Sequence, residues 1–190
     1  MKRKEALQLT ATIMGIAVFG SEVFLAGCRQ TSKTNELFTD QDLILMDEIG
    51  ETILPDSDRS PGAKAAEIGK FMKVIVTDCY SESEQSIFKY GLLEITNRAN
   101  QQFNKDFLTI SDKERFALLT VIDKESKKEV GNAKPHFYTM FKQLTIWGYF
   151  TSEIGQTKAL RYNPIPGGFN GIVDYKPGDR AWVGPLCSID

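Results

Sequence analysis

Three cysteines and one histidine are the side chains best suited to chemistry in this chain of 190 residues. Cys28 ends the stretch Phe24-Leu25-Ala26-Gly27-Cys28, Cys79 lies mid-chain, and Cys187 sits near the end. A thiolate can act as nucleophile, metal ligand or disulfide half. His136 alone is too few imidazoles for most metal clusters, and it weakens any triad reading. It follows Pro135 near a predicted helix start, where a surface histidine is the plainer reading than a catalyst. Asp40, Asp42, Asp47, Glu48 and Glu51 crowd one segment. No apolar pocket that would raise a pKa is evident there, so a solvated acidic face outweighs a general acid–base pair. Cys-x-x-Cys-His and Gly-x-Gly-x-x-Gly are both missing, which excludes covalent c-type haem and a dinucleotide fold. Gly167, Gly168 and Gly171 follow prolines and are better placed for tight turns than for holding phosphate. The sequence offers no catalytic constellation in this chain.

Cys28 is read from what precedes it. Met1 to Lys4 is basic, Ala11 to Gly20 is apolar, and Ala26 and Gly27 are small. That order describes an export signal, and the apolar run is too short to span about 30 Å of hydrocarbon. Leu25-Ala26-Gly27-Cys28 resembles a bacterial lipobox, in which the cysteine sulfur takes diacylglycerol and becomes the mature N-terminus. Residues 1–27 are therefore expected to be a lipoprotein signal peptide and 28–37 a polar tether. The product would be an exported lipoprotein anchored to the membrane and facing the periplasm. Arg3-Lys4 partly resembles a twin-arginine start, so the export route stays open. More than one acyl chain is needed to hold a soluble domain stably on a membrane.

Removing residues 1–27 takes away three basic and two acidic side chains, leaving 20 basic and 23 acidic, a net charge of −3. Phosphate backbones need clustered positive charge, so the balance disfavours nucleic acid as a partner. Residues 28–190 are enough for one domain with a real core. With Cys28 acylated, Cys79 and Cys187 remain in an oxidising compartment. They could pair with each other, or Cys187 with a partner, or neither could pair.

Helical periodicity accounts for most of the rest. Thr39 opens a first helix carrying Leu45, Met46, Ile49 and Ile53, which Pro55 ends. Residues 55–62 are turn-rich. A second helix runs through about Tyr80, with Ile68, Phe71, Met72, Ile75 and Cys79 on one face. Ser81 with Glu84, and Ser111 with Glu114, are capping-box patterns. They precede the stripes Phe88, Leu92, Ile95, Ala99, Phe103 and Phe116, Leu119, Ile122. A fifth helix spans about Pro135 to Phe150, with Phe137, Phe141, Leu144 and Gly148 aligned. The expected fold is all-α: a compact bundle of about five amphipathic helices over 38–154. An irregular Pro/Gly/aromatic tail over 155–190 would pack on the domain or on a partner.

The tail also carries a resemblance. "LTIWGYFTSEIG" at 144–155 and "LRYNPIPGGFNG" at 160–171 resemble the gluconate 2-dehydrogenase subunit 3 family. So do "DEIGETILPDSDRSPGAKAAEIGKF" at 47–71, "YGLLEI" at 90–95 and "FLTISDKER" at 107–115. The match covers roughly residues 38–172. It implies a non-catalytic small subunit that assists maturation and export of a flavoprotein dehydrogenase large subunit and anchors it. That partner, of the glucose-methanol-choline type, would oxidise a sugar or polyol at FAD and pass electrons to the haem of a cytochrome c subunit. This chain itself would carry no cofactor. Trp147, Tyr149, Phe150, Tyr162, Pro164, Pro166, Phe169, Tyr175 and Trp182 are the expected interface, because aromatics dominate binding hot spots. Trp147 and Phe150 could equally finish the helical core. The alternative from another class is a solitary periplasmic lipoprotein that binds a small molecule or envelope component, which would need an apolar pocket. An enzyme acting through His136 or Glu48 is the third.

Overall fold

The helix start signals at Thr39, Ser81 and Ser111 are all used. The computed structural model describes residues 37–128, 134–165, 167–168, 172 and 174–183. Among them are five α-helices: α1 (Asp40–Ile53), α2 (Ile68–Cys79), α3 (Glu82–Phe103), α4 (Asp112–Lys128) and α5 (Phe137–Thr151). Thr39 caps α1 in a reciprocal box with Asp42, and Ser81 caps α3 the same way with Glu84. At α4, the Glu114 carboxylate accepts from both the Ser111 amide (2.8 Å) and hydroxyl (2.7 Å). His136 caps α5: its Nδ1 accepts from the Tyr138 amide at 3.1 Å. Each cap satisfies amides that the first helical turn leaves without partners.

α1 and α5 each touch all the other helices and form the centre of the bundle. Phe38, Phe88, Phe107 and Phe141 are fully buried there. The Phe88 ring meets Phe38 edge-on at 5.7 Å and lies 4.1 Å from Phe141. This aromatic cluster ties the chain entering α1 to α3 and α5, and each such pair adds about 0.5–1.5 kcal/mol beyond area burial. Phe137, Phe141, Leu144 and Gly148 all face the core as their spacing predicts. From Phe38 onward the described residues belong to one compact unit.

Four elements differ from the sequence reading. The second helix is broken: Ala63–Ala66 form a 3-10 turn, Glu67 adopts a left-handed conformation (φ 52°), and α2 restarts at Ile68. The break lets α2 approach α1 closely enough that a Cβ on Gly69 would lie 2.5 Å from the Leu43 carbonyl oxygen. Cys79 is exposed rather than on the buried face, because the stripe runs Ile68, Met72, Val76 and the helix ends one turn later. Phe116 is 64% exposed, and Leu118, Leu119 and Ile122 carry the buried side of α4 instead. Phe103, in the last turn of α3, is only partly buried.

The described part of the tail is irregular, as expected, apart from three short elements. Gly155–Ala159 form a π-helical turn, and Arg161–Tyr162 (β1) pairs in parallel with Trp182–Val183 (β2). Arg161 donates its amide to Ala181 and Asn163 to Val183, both at 2.8 Å. The Arg180 guanidinium reaches back to the Arg59 carbonyl (2.7 Å), pinning this tail segment to the loop after α1.

Candidate partner-binding surface

The acidic segment of α1 holds the fold together. Asp47 accepts the Gly69 amide at 2.7 Å, at the start of α2. Burial raises the Asp47 carboxyl above its ordinary value, and the Gly69 amide offsets part of that rise. Glu48 takes Arg115 Nη1 of α4 at 2.7 Å and also pairs with Lys64. Glu51 accepts the amides of Asp56 and Lys64, both at 2.8 Å, and so shapes the loop between them. These carboxylates are therefore anchors between elements, not the solvated face their spacing suggested.

Arg115 is the polar hub on the other side of that contact. Its Nε donates to the Phe107 carbonyl at 3.0 Å and its Nη2 to that of Leu108 at 2.6 Å. Only 12% of its side chain and 15% of that of Glu48 are exposed. On α4, Asp123 takes Lys127 and Lys142 at 2.6 Å each, which holds its carboxyl below the ordinary value. Burial pushes the Tyr138 phenol well up. His136 is occupied as a cap, with its ring 4.3 Å from that of Phe137. Among the described residues no three His, Cys, Asp or Glu side chains are grouped to hold a metal ion.

The expected interface aromatics separate into distinct environments. Trp147 is 53% exposed, and its ring stands at 89° to that of Phe71, 5.4 Å away. Phe71 reaches it over Gly148, where a Cβ would come within 2.5 Å of the ring, so glycine is required by that contact. Tyr149 is a core residue, 3% exposed, and its hydroxyl donates to the Pro61 carbonyl. Phe150 is partly buried, edge-on to Tyr149 at 5.2 Å. In the tail, Tyr162, Pro164, Tyr175 and Trp182 are exposed, with the Arg161 guanidinium 4.5 Å above the Trp182 ring. Pro166, Phe169, Cys28 and Cys187 lie outside the described residues.

Other apolar side chains, which the sequence reading did not select, are also exposed. Val74 on α2 and Ile146 on α5 accompany Trp147 on the two helices that Phe71 joins. Tyr90 and Leu93 are exposed on α3, and Ile165 and Ile172 in the tail. Helical phase was the available signal for Ile146 and Leu93, since each stands off its helix's buried stripe. A separate groove of about 470 Å³ opens between the end of α1, the loop after it and the start of α4. It is lined mostly by charged residues, among them Glu48, Glu51, Asp56, Asp112, Lys113 and Arg115. The surface that these residues present to the groove is nonetheless mostly apolar. No described helix is long and apolar enough to cross a membrane.

Comparison with known proteins gives a family match. Residues 40–167 fit the family model described as gluconate 2-dehydrogenase subunit 3, from the first residue of α1 into the tail beyond β1. No curated protein and no solved structure matches the chain.

Proposed function

Because the chain belongs to the gluconate 2-dehydrogenase subunit 3 family, we propose that it is the non-catalytic small subunit of a membrane-tethered, FAD-dependent sugar or polyol dehydrogenase. The family's name makes it a subunit of an oxidoreductase complex, with other dehydrogenase subunits as partners. Beyond that, the large subunit is taken to be a glucose-methanol-choline-type flavoprotein that holds the FAD. A cytochrome c subunit would accept its electrons at haem. This chain would assist maturation and export of the flavoprotein and keep it at the membrane through a lipid on Cys28.

The observation that carries the reading is the exposed Trp147 ring. An indole ring, Ile146 and Val74 lie open to water on two helices that are otherwise well packed. The ring rests edge-on against Phe71. An exposed tryptophan has few side-chain torsions to lose on docking and is among the leading interface hot-spot residues. The polar groups of α1 and α4 support the same view, because the hydrogen bonds and ion pairs of Asp47, Glu48, Glu51 and Arg115 already bind helix to helix.

The test is affinity extraction of the tagged full chain from detergent-solubilised membranes, with flavin released by acid and read by fluorescence. The expected result is a stoichiometric flavoprotein with sugar or polyol dehydrogenase activity. Trp147→Ala, which removes an exposed ring, is expected to reduce the flavin recovered at least about tenfold, as hot-spot truncations do. A chain recovered without any flavoprotein would refute the reading.

A further inference from the structure

The groove between α1 and α4 lies apart from the Trp147 surface. The geometry points to it as the docking site for an arginine- or lysine-bearing segment of the flavoprotein subunit, an inference that rests on the complex proposed above. Its open space of about 470 Å³ has Pro55 and Phe116 as apolar walls. Phe116 is an exposed aromatic ring at the start of a helix whose buried side is filled by other residues.

Charge decides what the groove fits. Arg115 is committed to Glu48 at 2.7 Å and to two backbone carbonyls, so it offers nothing to a ligand. Glu51 is held by two amides, and neither it nor Asp56 has an ion pair among the described residues. Asp112 is reached only at 3.4 Å, by the same Arg115, and its side chain is 99% exposed. Against these three carboxylates stand Lys113 in the lining and Lys64 beside it, which pairs with Glu48 and also acts on Glu51, so the balance stays negative. Excess negative charge beside an aromatic face is the complement of a guanidinium or ammonium group. The aliphatic stem of Arg or Lys would pack on Phe116 and Pro55 while its head met Asp56 and Asp112. An acidic segment would be repelled, and a purely apolar one would strip water from carboxylates without pairing them. A second copy of this chain, itself net acidic, is a poorer occupant than a basic partner segment.

The test replaces Phe116 with photoreactive benzoylphenylalanine in the tagged full chain, irradiates native membranes and maps the cross-linked peptide by mass spectrometry. A second chain with the probe at Trp147 reports on the complex itself. The expected product from position 116 is a flavoprotein peptide with Arg or Lys close to the cross-link. Its yield should fall about tenfold when Asp56→Lys and Asp112→Lys are added, since like charges then face each other. Both carboxylates are exposed, so their reversal leaves the core intact. If position 147 captures the flavoprotein and position 116 does not, the groove assignment fails and the complex stands. Capture at 116 of a second copy, of this chain's own residues, or of a segment without a basic residue also overturns it. If neither position captures a flavoprotein, both readings fall.

Discussion

Replacing Arg115 by Met tests how α4 is fastened to the bundle. The substitution keeps the aliphatic volume and removes four donated bonds: to Glu48 (2.7 Å), the Phe107 carbonyl (3.0 Å), the Leu108 carbonyl (2.6 Å) and, at longer range, Asp112 (3.4 Å). A charge-assisted bond contributes about 1.5–3 kcal/mol, and each buried carbonyl left without its donor costs about 1–3 kcal/mol. Breaking a largely buried ion pair costs about 3–5 kcal/mol overall, because the remaining charge is stranded. Glu48 keeps Lys64 as a partner, which brings the expectation to the lower end, about 3 kcal/mol. For a domain of this size that is a fall in Tm of about 6–12 °C. The assay is thermal and urea unfolding followed by helical circular dichroism, on Arg115→Met, Glu48→Met and the double variant. The double variant should lose clearly less than the sum of the two singles, because it leaves no stranded carboxylate. A loss below about 1 kcal/mol for Arg115→Met, or strict additivity in the cycle, would refute the reasoning.

Particular contacts lead to three further predictions, and the sequence before Cys28 to a fourth. Asp47 has its folded-state pKa raised by burial, so its ionisation weakens the fold as pH climbs from the ordinary value of 3.8 through the raised one. Asp47→Asn should therefore be as stable as wild type or more so at neutral pH, with the advantage fading below that value in acid titrations of unfolding. Glu84 and Glu114 run the other way: serine hydrogen bonds lower both, and the stability they add above 4.5 is lost as pH falls. Ser81→Ala with Ser111→Ala should flatten that acid limb, and an unchanged limb would remove the caps from the account. Gly148→Ala places a Cβ against Phe71 and should cost about 1–3 kcal/mol. In a Trp182→Phe background it should also shift Trp147 fluorescence, and an unmoved spectrum would contradict the Phe71–Trp147 contact. Cys28→Ser should leave an uncleaved or soluble precursor, and a normal lipid-modified product would refute the anchor.

Local signals made much of the bundle legible before any coordinates. Two Ser-x-x-Glu boxes and the Thr39 start placed three helix N-termini, and the spacing of Phe137, Phe141, Leu144 and Gly148 placed the central helix. What escaped depends on neighbours distant in sequence. Phe116 and Leu118 both suit an apolar stripe, and only the docking of α4 against α1 decides which is buried. The break at Glu67 has no glycine or proline to announce it; it is set by how closely α2 must lie on α1. Tyr149 looked like an interface aromatic because sequence cannot show that its hydroxyl has Pro61 as a partner. Glu48 and Arg115 lie 67 residues apart, so their pairing left no periodic trace.

The central claim is that catalysis belongs to a companion polypeptide which this chain grips. Its most direct test is dehydrogenase activity and flavin content, measured side by side on the tagged full chain and on that chain after a high-salt and detergent wash removes every other polypeptide. The account predicts that activity and flavin leave together with the companion and return when it is added back. Sugar or polyol oxidation by the washed chain alone would contradict it.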